Sequence, residues 1–362
     1  MQAAPAQTDA FPPELKLEFR GSGREYFRVW IVNLCLTLIT AGIFSAWAKV
    51  RKKRYLYSHT VLDGTPFQYL GQPFPILKGR VVAAVLFIVY YAVGYLSPAI
   101  MPFVLMGAVV LAPWVVVRSA SFNARYSAFR NMTFRLESDY VGALRTIYWL
   151  GLIPALVVGS IFEWWGNWML AAAVFGVFGL LFPWWMQRLK RFVVGNTVFG
   201  GERAELTATG AQFFRVYLVA GLIVTASGVV AGALVAALAK ISRYGWVLAP
   251  AAFYFGYVVA FAYARANTGN LVWNNTQLGP LRFASTLRTG GLLKLYIANA
   301  IGIVLSAGLL IPWAVVRTFK YRTDNLRVLL EGRLDEFRAV EGDAVAAAGA
   351  EVGEFFDLDL SL

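Results

Sequence analysis

The chain has 362 residues, 59% of them hydrophobic and only 15% charged, with 12 Trp, 17 Tyr and 27 Phe. Soluble domains sit near 45–50% apolar and about 25% charged, so this composition excludes an ordinary soluble enzyme and reads as a multi-span membrane protein. The net charge of +13 fits basic membrane loops without invoking nucleic acid, and a single Cys (Cys35) and a single His (His59) exclude a disulfide framework and a His/Cys metal centre.

Residues 1–14 carry no Lys or Arg before the first apolar run, so they read as a flexible arm rather than a signal peptide. Apolar runs at 81–97, 99–117, 146–162, 168–187, 214–239 and 245–264 approach the roughly 20 residues that cross about 30 Å of hydrocarbon. They pair into three hairpins. Two more runs, 26–48 and 292–316, stand alone, so a plain hydropathy count gives eight spans. Residues 336–362 form an acidic tail whose ordinary reading is a disordered solubilising segment, with partner docking as the functional alternative.

An internal repeat changes the count. Its box is Trp, three residues, Arg, three residues, aromatic: Trp47, Arg51, Tyr55; Trp114, Arg118, Phe122; Trp184, Arg188, Phe192; and Trp313, Arg317, Tyr321. A degraded copy reads Tyr263, Asn267, Leu271. Thr60, Ser127, Thr197 and Thr276 follow the boxes, and seven residues later come Phe67, Phe134, Ala204 and Phe283. Period-two stretches such as Leu15–Gly21 and Phe67–Gly71 predict short strands, with Asp63-Gly64 and Gly200-Gly201 as tight turns. The expected fold is an all-α multi-pass bundle of about five repeated helical hairpins, with short cytoplasmic β-strands between them. The repeated domain covers 15–335, with units near 15–64, 65–131, 132–201, 202–280 and 281–332.

Basic loops stay cytoplasmic, which places 49–80, 118–145, 188–203 and 265–288 inside. Eight full spans would strand the basic chain ends outside. The first and last units match at a constant offset of 266: Asn33 with Asn299, Gly42 with Gly308, Trp47 with Trp313. Both terminal runs are therefore expected to be broken, re-entrant hairpins with both termini cytoplasmic, and one straight span each is the simpler alternative.

Residues i, i+4 and i+8 share a helix face, so each box is a stripe at the membrane exit. It serves either to grip membrane lipids, including anionic head groups, or as a plain aromatic anchor. Asn33, Thr40, Gly42, Asn299, Ser306 and Gly308 either line a solute path or bond between helices. The predicted span interiors hold no ionisable residue, which disfavours proton coupling. No phosphate loop, dinucleotide fingerprint, metalloprotease or hydrolase motif is present, so neither enzymatic activity nor a cofactor is expected. The favoured reading is a passive or gated transporter or channel-like pathway for a small solute or lipid, and the alternative is a non-transporting membrane scaffold or lipid-organising protein.

Phe19-Arg-Gly, Thr40-Ala-Gly-Ile-Phe, Trp47 through Tyr55, Asp63 through Gly71, and Gly308 through Asn325 resemble the YjgN-like family of bacterial inner-membrane proteins. The resemblance implies a multi-pass protein of the bacterial inner membrane whose domain has no assigned function. It supplies no catalytic residue.

Overall fold

A computed structural model describes residues 14–97, 114, 117–118, 120–137, 139–147, 168–240 and 248–331. Nearly all of the predicted runs 99–117 and 146–162, most of the arm and the whole tail lie outside the described residues.

The strands are short and alternate buried with exposed positions, as Glu202-Arg203-Ala204-Glu205-Leu206 does, with Ala204 and Leu206 inside. In chain order they are β1 (Glu14–Leu15), β2 (Leu17–Phe19), β3 (Thr60–Leu62), β4 (Thr65–Pro66), β5 (Gln68–Tyr69), β6 (Ser127–Phe129) and β7 (Met132–Thr133). There follow β8 (Arg135–Leu136), β9 (Thr197–Phe199), β10 (Glu202–Leu206), β11 (Thr276–Leu278), β12 (Leu281–Ser285) and β13 (Leu326–Leu330). A seven-stranded sheet runs β1-β13-β12-β11-β10-β9-β8, and two three-stranded sheets run β2-β3-β4 and β5-β6-β7, with every pairing antiparallel.

Single residues join these sheets end to end. Lys16 links β1 to β2, Phe67 links β4 to β5, and Phe134 links β7 to β8. The junctions are themselves bonded across strands: Asp63 N donates to Lys16 O at 2.9 Å, Phe67 N to Thr60 O at 2.9 Å, and Phe134 N to Ser127 O at 3.0 Å. With each one-residue break treated as a bend, the 13 segments become ten strands in a closed circuit, sealed where Leu15 pairs with Val328. Helices make up most of the fold, and the short strands expected between them join into sheets. The strands assemble into one small barrel, and closure removes the exposed edges that ten short strands would otherwise present.

Each of the ten strands feeds the same core. Leu15, Leu62, Phe129, Phe199, Leu206, Leu278, Leu281 and Val328 pack with Phe67, Met132, Phe134 and Phe283. Ring centroids lie 4.8 Å apart for Phe67–Phe129 and 4.4 Å for Phe134–Phe199. The repeated Phe67, Phe134 and Phe283 positions, and Ala204 with them, are therefore barrel filling. Asp63-Gly64, Gly200-Gly201 and Arg130-Asn131 all have positive φ at both central positions, the geometry of two-residue hairpins whose twist matches the strands.

Helices occupy the connections between strands. They are α1 (Gly23–Ile39), α2 (Ser45–Ser58), α3 (Pro73–Leu96), α4 (Tyr140–Ile147), α5 (Trp168–Gly195), α6 (Gly210–Ala239), α7 (Leu248–Asn274), α8 (Thr289–Leu305) and α9 (Ile311–Asp324); residues 120–125 are also helical. Among the described residues, α3, α5 and α6 are long and apolar enough to cross a membrane.

The terminal runs are not straight helices. Residues 40–44 separate α1 from α2, and residues 306–310 separate α8 from α9. Gly42 (φ 93°) and Gly308 (φ 91°) hold the left-handed conformation that ends each first arm, where a side chain would be strained. Every N–H in the turn is used internally: Thr40, Ala41 and Gly42 donate to carbonyls at the end of α1, Ile43 donates to Thr40 O, Ser45 to Gly42 O, and Phe44 N to Thr40 Oγ1 at 2.9 Å. The second turn repeats this pattern, with Leu310 N donating to Ser306 Oγ at 2.9 Å. Meanwhile the tips expose Leu38, Ile39, Ile43, Val304 and Leu305. A turn with satisfied amides and a bare apolar tip meets the requirements of hydrocarbon rather than water.

Candidate functional site

The junction between barrel and helices is built from a common register. The strand residues Phe19, Tyr69, Leu136, Leu206 and Ser285 each precede a leading helix (α1, α3, α4, α6, α8). Seven residues on lie Tyr26, Ile76, Ala143, Phe213 and Leu292, and all five are buried. Nine residues on lie Arg28, Lys78, Arg145, Arg215 and Lys294, and all five are exposed. At 3.6 residues per turn a step of two rotates a side chain by about 200°, so the buried face fixes the cation on the outer face. In all but the second unit the cation is the last charge before the apolar run; there Arg80 follows and donates to Ser45 Oγ.

The trailing helices carry the boxes. The residue before each box Arg or its Asn substitute (Val50, Val117, Gln187, Ala266, Val316) is buried. The hydroxyls that follow are helix caps: Thr60 donates to Leu56 O at 2.9 Å, Ser127 to Asn123 O at 2.9 Å, Thr197 to Val193 O at 2.8 Å and Thr276 to Val272 O at 2.7 Å. Asn196, Asn275 and Asn325 donate in the same way to Phe192, Leu271 and Tyr321 carbonyls, each at 2.8 Å. These bonds satisfy carbonyls that a helix end otherwise leaves open.

Box Trp side chains act between units. Trp47 meets Phe74 at 5.4 Å, Trp184 meets Phe214 at 4.8 Å, and Trp313 meets Phe27 at 5.1 Å. In each case the ring lies on the leading helix of the next unit, and Trp313 closes the circuit onto the first. A Cβ at Gly23 or Gly210 would collide with the Trp313 or Trp184 ring. Arg54, Arg191 and Asn270 add a second latch, donating to carbonyls 17 residues on: Gly71 at 3.0 Å, Ala208 at 3.2 Å and Leu287 at 2.8 Å. Trp114 is exposed.

The third box position bonds within its own unit where it is Tyr and packs across units where it is Phe. Tyr55 Oη donates to Ser22 O at 2.9 Å, and Tyr321 Oη donates to Arg288 O at 3.4 Å. Phe122 is fully buried, and Phe192 packs beside the Val117, Leu189 and Val193 cluster.

Box arginines differ from one another. Arg51 donates to Asn33 Oδ1 at 3.1 Å and lies over the Phe44 ring. Arg118 Nε is buried without a hydrogen-bond partner. Arg188 and Arg317 are exposed. The candidate pathway residues serve the terminal hairpins. Buried Asn33 ties α1 to α2 through Arg51, and Asn299 ties α8 to α9 by donating to Thr318 Oγ1 at 3.1 Å. Thr40 and Ser306 cap the two turns, and Gly42 and Gly308 shape them.

Charge divides the junction sharply. On the strands Arg282 pairs with Glu331 at 2.6 Å, Arg327 with Glu14 at 3.6 Å, Arg203 with Glu137, and Glu18 with both Lys16 and Arg20. Hydrogen bonds from Lys16, then Arg20, hold the Glu18 carboxyl below its usual range. Arg28, Lys78, Arg145, Arg215 and Lys294 have no ion-pair or hydrogen-bond partner among the described residues. Glu25 is the one carboxylate on the leading helices. This ring of cations lies outside the Trp-anchored pattern and is marked in the sequence only by its spacing of nine residues from each strand end. Among the described residues no cluster of His, Cys, Asp or Glu suits a metal.

Long apolar helices on a sealed strand base define an integral membrane protein. The chain matches over residues 14–355 the family described as "Bacterial protein of unknown function (DUF898)", and it belongs to that family. It is similar to the inner membrane protein YjgN of Salmonella typhimurium, 24% identical over 358 residues that cover 88% of this chain and 89% of the relative. YjgN of Escherichia coli O157:H7 is 24% identical and that of strain K12 23% identical, each over 367 residues and 90% of both chains. No solved structure matches it.

Proposed function

We propose that the protein is a non-transporting, lipid-organising scaffold of the bacterial inner membrane, multi-pass, with the barrel and both termini on the cytoplasmic face. The observation that carries this reading is the barrel interior, closed all round and filled by apolar side chains from each of its ten strands. A solute path along the axis of the repeat would have to pass through that apolar core, and close-packed interiors hold few voids wider than a water molecule. The side chains best suited to line a path elsewhere, Asn33 and Asn299, are spent on bonds within their own hairpins. Arginine and lysine around the strands favour the cytoplasmic side. Strand β1 pairs with β13, so both ends of the described chain share the barrel's side.

The test is reconstitution into sealed vesicles of phosphatidylethanolamine and phosphatidylglycerol. No protein-dependent release of a small trapped dye and no transfer of labelled lipid between leaflets is the expected result. Release or transfer that rises with protein content would overturn the scaffold reading in favour of a pathway. In a Cys35→Ser background, Pro5→Cys and Leu360→Cys are expected to label from the cytoplasmic side alone.

A further inference from the structure

We infer that the ring of leading-helix cations binds the phosphates of anionic phospholipids, with the box Trp of the preceding unit as an added wall at Arg28 and Arg215. The proposal deepens the lipid-organising reading by naming the head-group class and the residues that hold it.

Three observations carry it. The first is register: Arg28, Lys78, Arg145, Arg215 and Lys294 occupy the same place on five helices, each exposed and each two residues past a buried anchor. Neither Arg nor Lys is chosen consistently, so what the position keeps is positive charge rather than a particular bonding fork. The second is the absence of an internal counter-ion among the described residues. Glu14, Glu18, Glu137 and Glu331 are engaged with strand cations, and Glu25, the sole acid on the leading helices, receives the Tyr55 hydroxyl at 3.3 Å. The third is the neighbouring wall. Trp313 lies on Phe27, the residue before Arg28, and Trp184 lies on Phe214, the residue before Arg215. An indole at the water–hydrocarbon boundary beside a cation supplies an apolar surface for the glycerol and upper acyl chain, while the cation meets the phosphate.

The position in depth agrees, because apolar sequence begins directly after these residues: Val29-Trp30-Ile31 after Arg28, Val216-Tyr217-Leu218 after Arg215, and Leu295-Tyr296-Ile297 after Lys294. A phosphate at that level belongs to a lipid rather than to a dissolved ion.

The experiment measures lipids retained by the full-length protein in detergent as phosphatidylglycerol or phosphatidylcholine is titrated in, read by native mass spectrometry. The wild type is expected to retain phosphatidylglycerol in preference. Each of Arg28→Gln, Arg215→Gln and Lys294→Gln is expected to weaken retention at its site about fivefold, the factor set by one basic residue near an anionic surface. Arg282→Gln, which removes a paired barrel cation, is expected to retain lipid as the wild type does. Excess inorganic phosphate is expected to displace none. Equal retention of the two lipids by the wild type, an unchanged triple variant with an unchanged melting temperature, or displacement by inorganic phosphate would each overturn the assignment. Dye release in the vesicle experiment would remove the scaffold reading while leaving these retention results standing.

Discussion

The barrel and the collar of helices above it use the same amino acids in opposite ways. In the barrel, Arg203, Arg282 and Arg327 each face a carboxylate, and apolar side chains turn inward to a shared core. In the collar, Arg28, Arg215 and Lys294 face none, and apolar side chains such as Val229, Val230 and Leu222 turn outward. Exposed ion pairs contribute only about 0–1 kcal/mol each, so pairing on the strands neutralises the barrel more than it holds it together. The barrel satisfies itself. The collar is completed by its surroundings, and that difference separates the part that keeps the fold from the part that meets lipid.

Two residues on opposite faces of one helix test the division most strongly. Phe213 is fully buried against the barrel and Arg215 is exposed on the same helix. Phe213→Ala is expected to cost about 3–5 kcal/mol in detergent unfolding, whereas Arg215→Gln stays within about 0.5 kcal/mol. Equal losses would break the comparison. A smaller effect is expected at the hairpin turns: Gly42→Ala forces a side chain into φ 93° and should cost about 1–2 kcal/mol, with Gly42→Asn milder, read by the same unfolding midpoint. At the seam between the regions, Thr197→Val removes the cap on Val193 O and should cost about 1 kcal/mol, with faster amide exchange in the last turn of α5.

Acid gives the smallest effect and distinguishes the two charge patterns. Glu18 has a carboxyl lowered from 4.5 by its bonds to Lys16 and Arg20, so its contribution is complete above 4.5 and is lost as pH falls through its lower folded value. Wild type and Glu18→Gln should therefore converge in melting temperature on the acid side and separate slightly at neutral pH. Phosphatidylglycerol retention by the collar should not follow Glu18, which lies on a strand and outside the proposed sites. A collar that lost lipid in step with Glu18 protonation would blur the distinction.

Much of this architecture is legible in the sequence. Alternation marks the strands, Asp63-Gly64 and Gly200-Gly201 mark hairpins, and the offset between Gly42 and Gly308 marks the two broken helices. Hydropathy alone misses those breaks because the turn residues Ala41, Ile43 and Phe44 are themselves apolar. Barrel closure was not legible: nothing near Leu15 indicates that its partner is Val328, since strand pairing over such a separation leaves no local pattern. The box was visible, yet the roles of its parts came only from packing. Trp47, Trp184 and Trp313 are shared across units, while the ring of unpaired cations lies on the other helix of each pair, in register with strand ends whose residue types vary.

The seam between β1 and β13 also sets an order of events during synthesis. The first strand leaves the ribosome early, but the edge it must join is made only when Leu326–Leu330 has been translated. Until then the growing chain carries an open arc of strands with two unpaired rims. All the described helices precede that strand in the chain, and those already formed limit how far the arc can drift. The last five-residue strand therefore acts as the clasp, and a chain stopped just short of it would hold nearly all of its membrane helices and still lack a finished base.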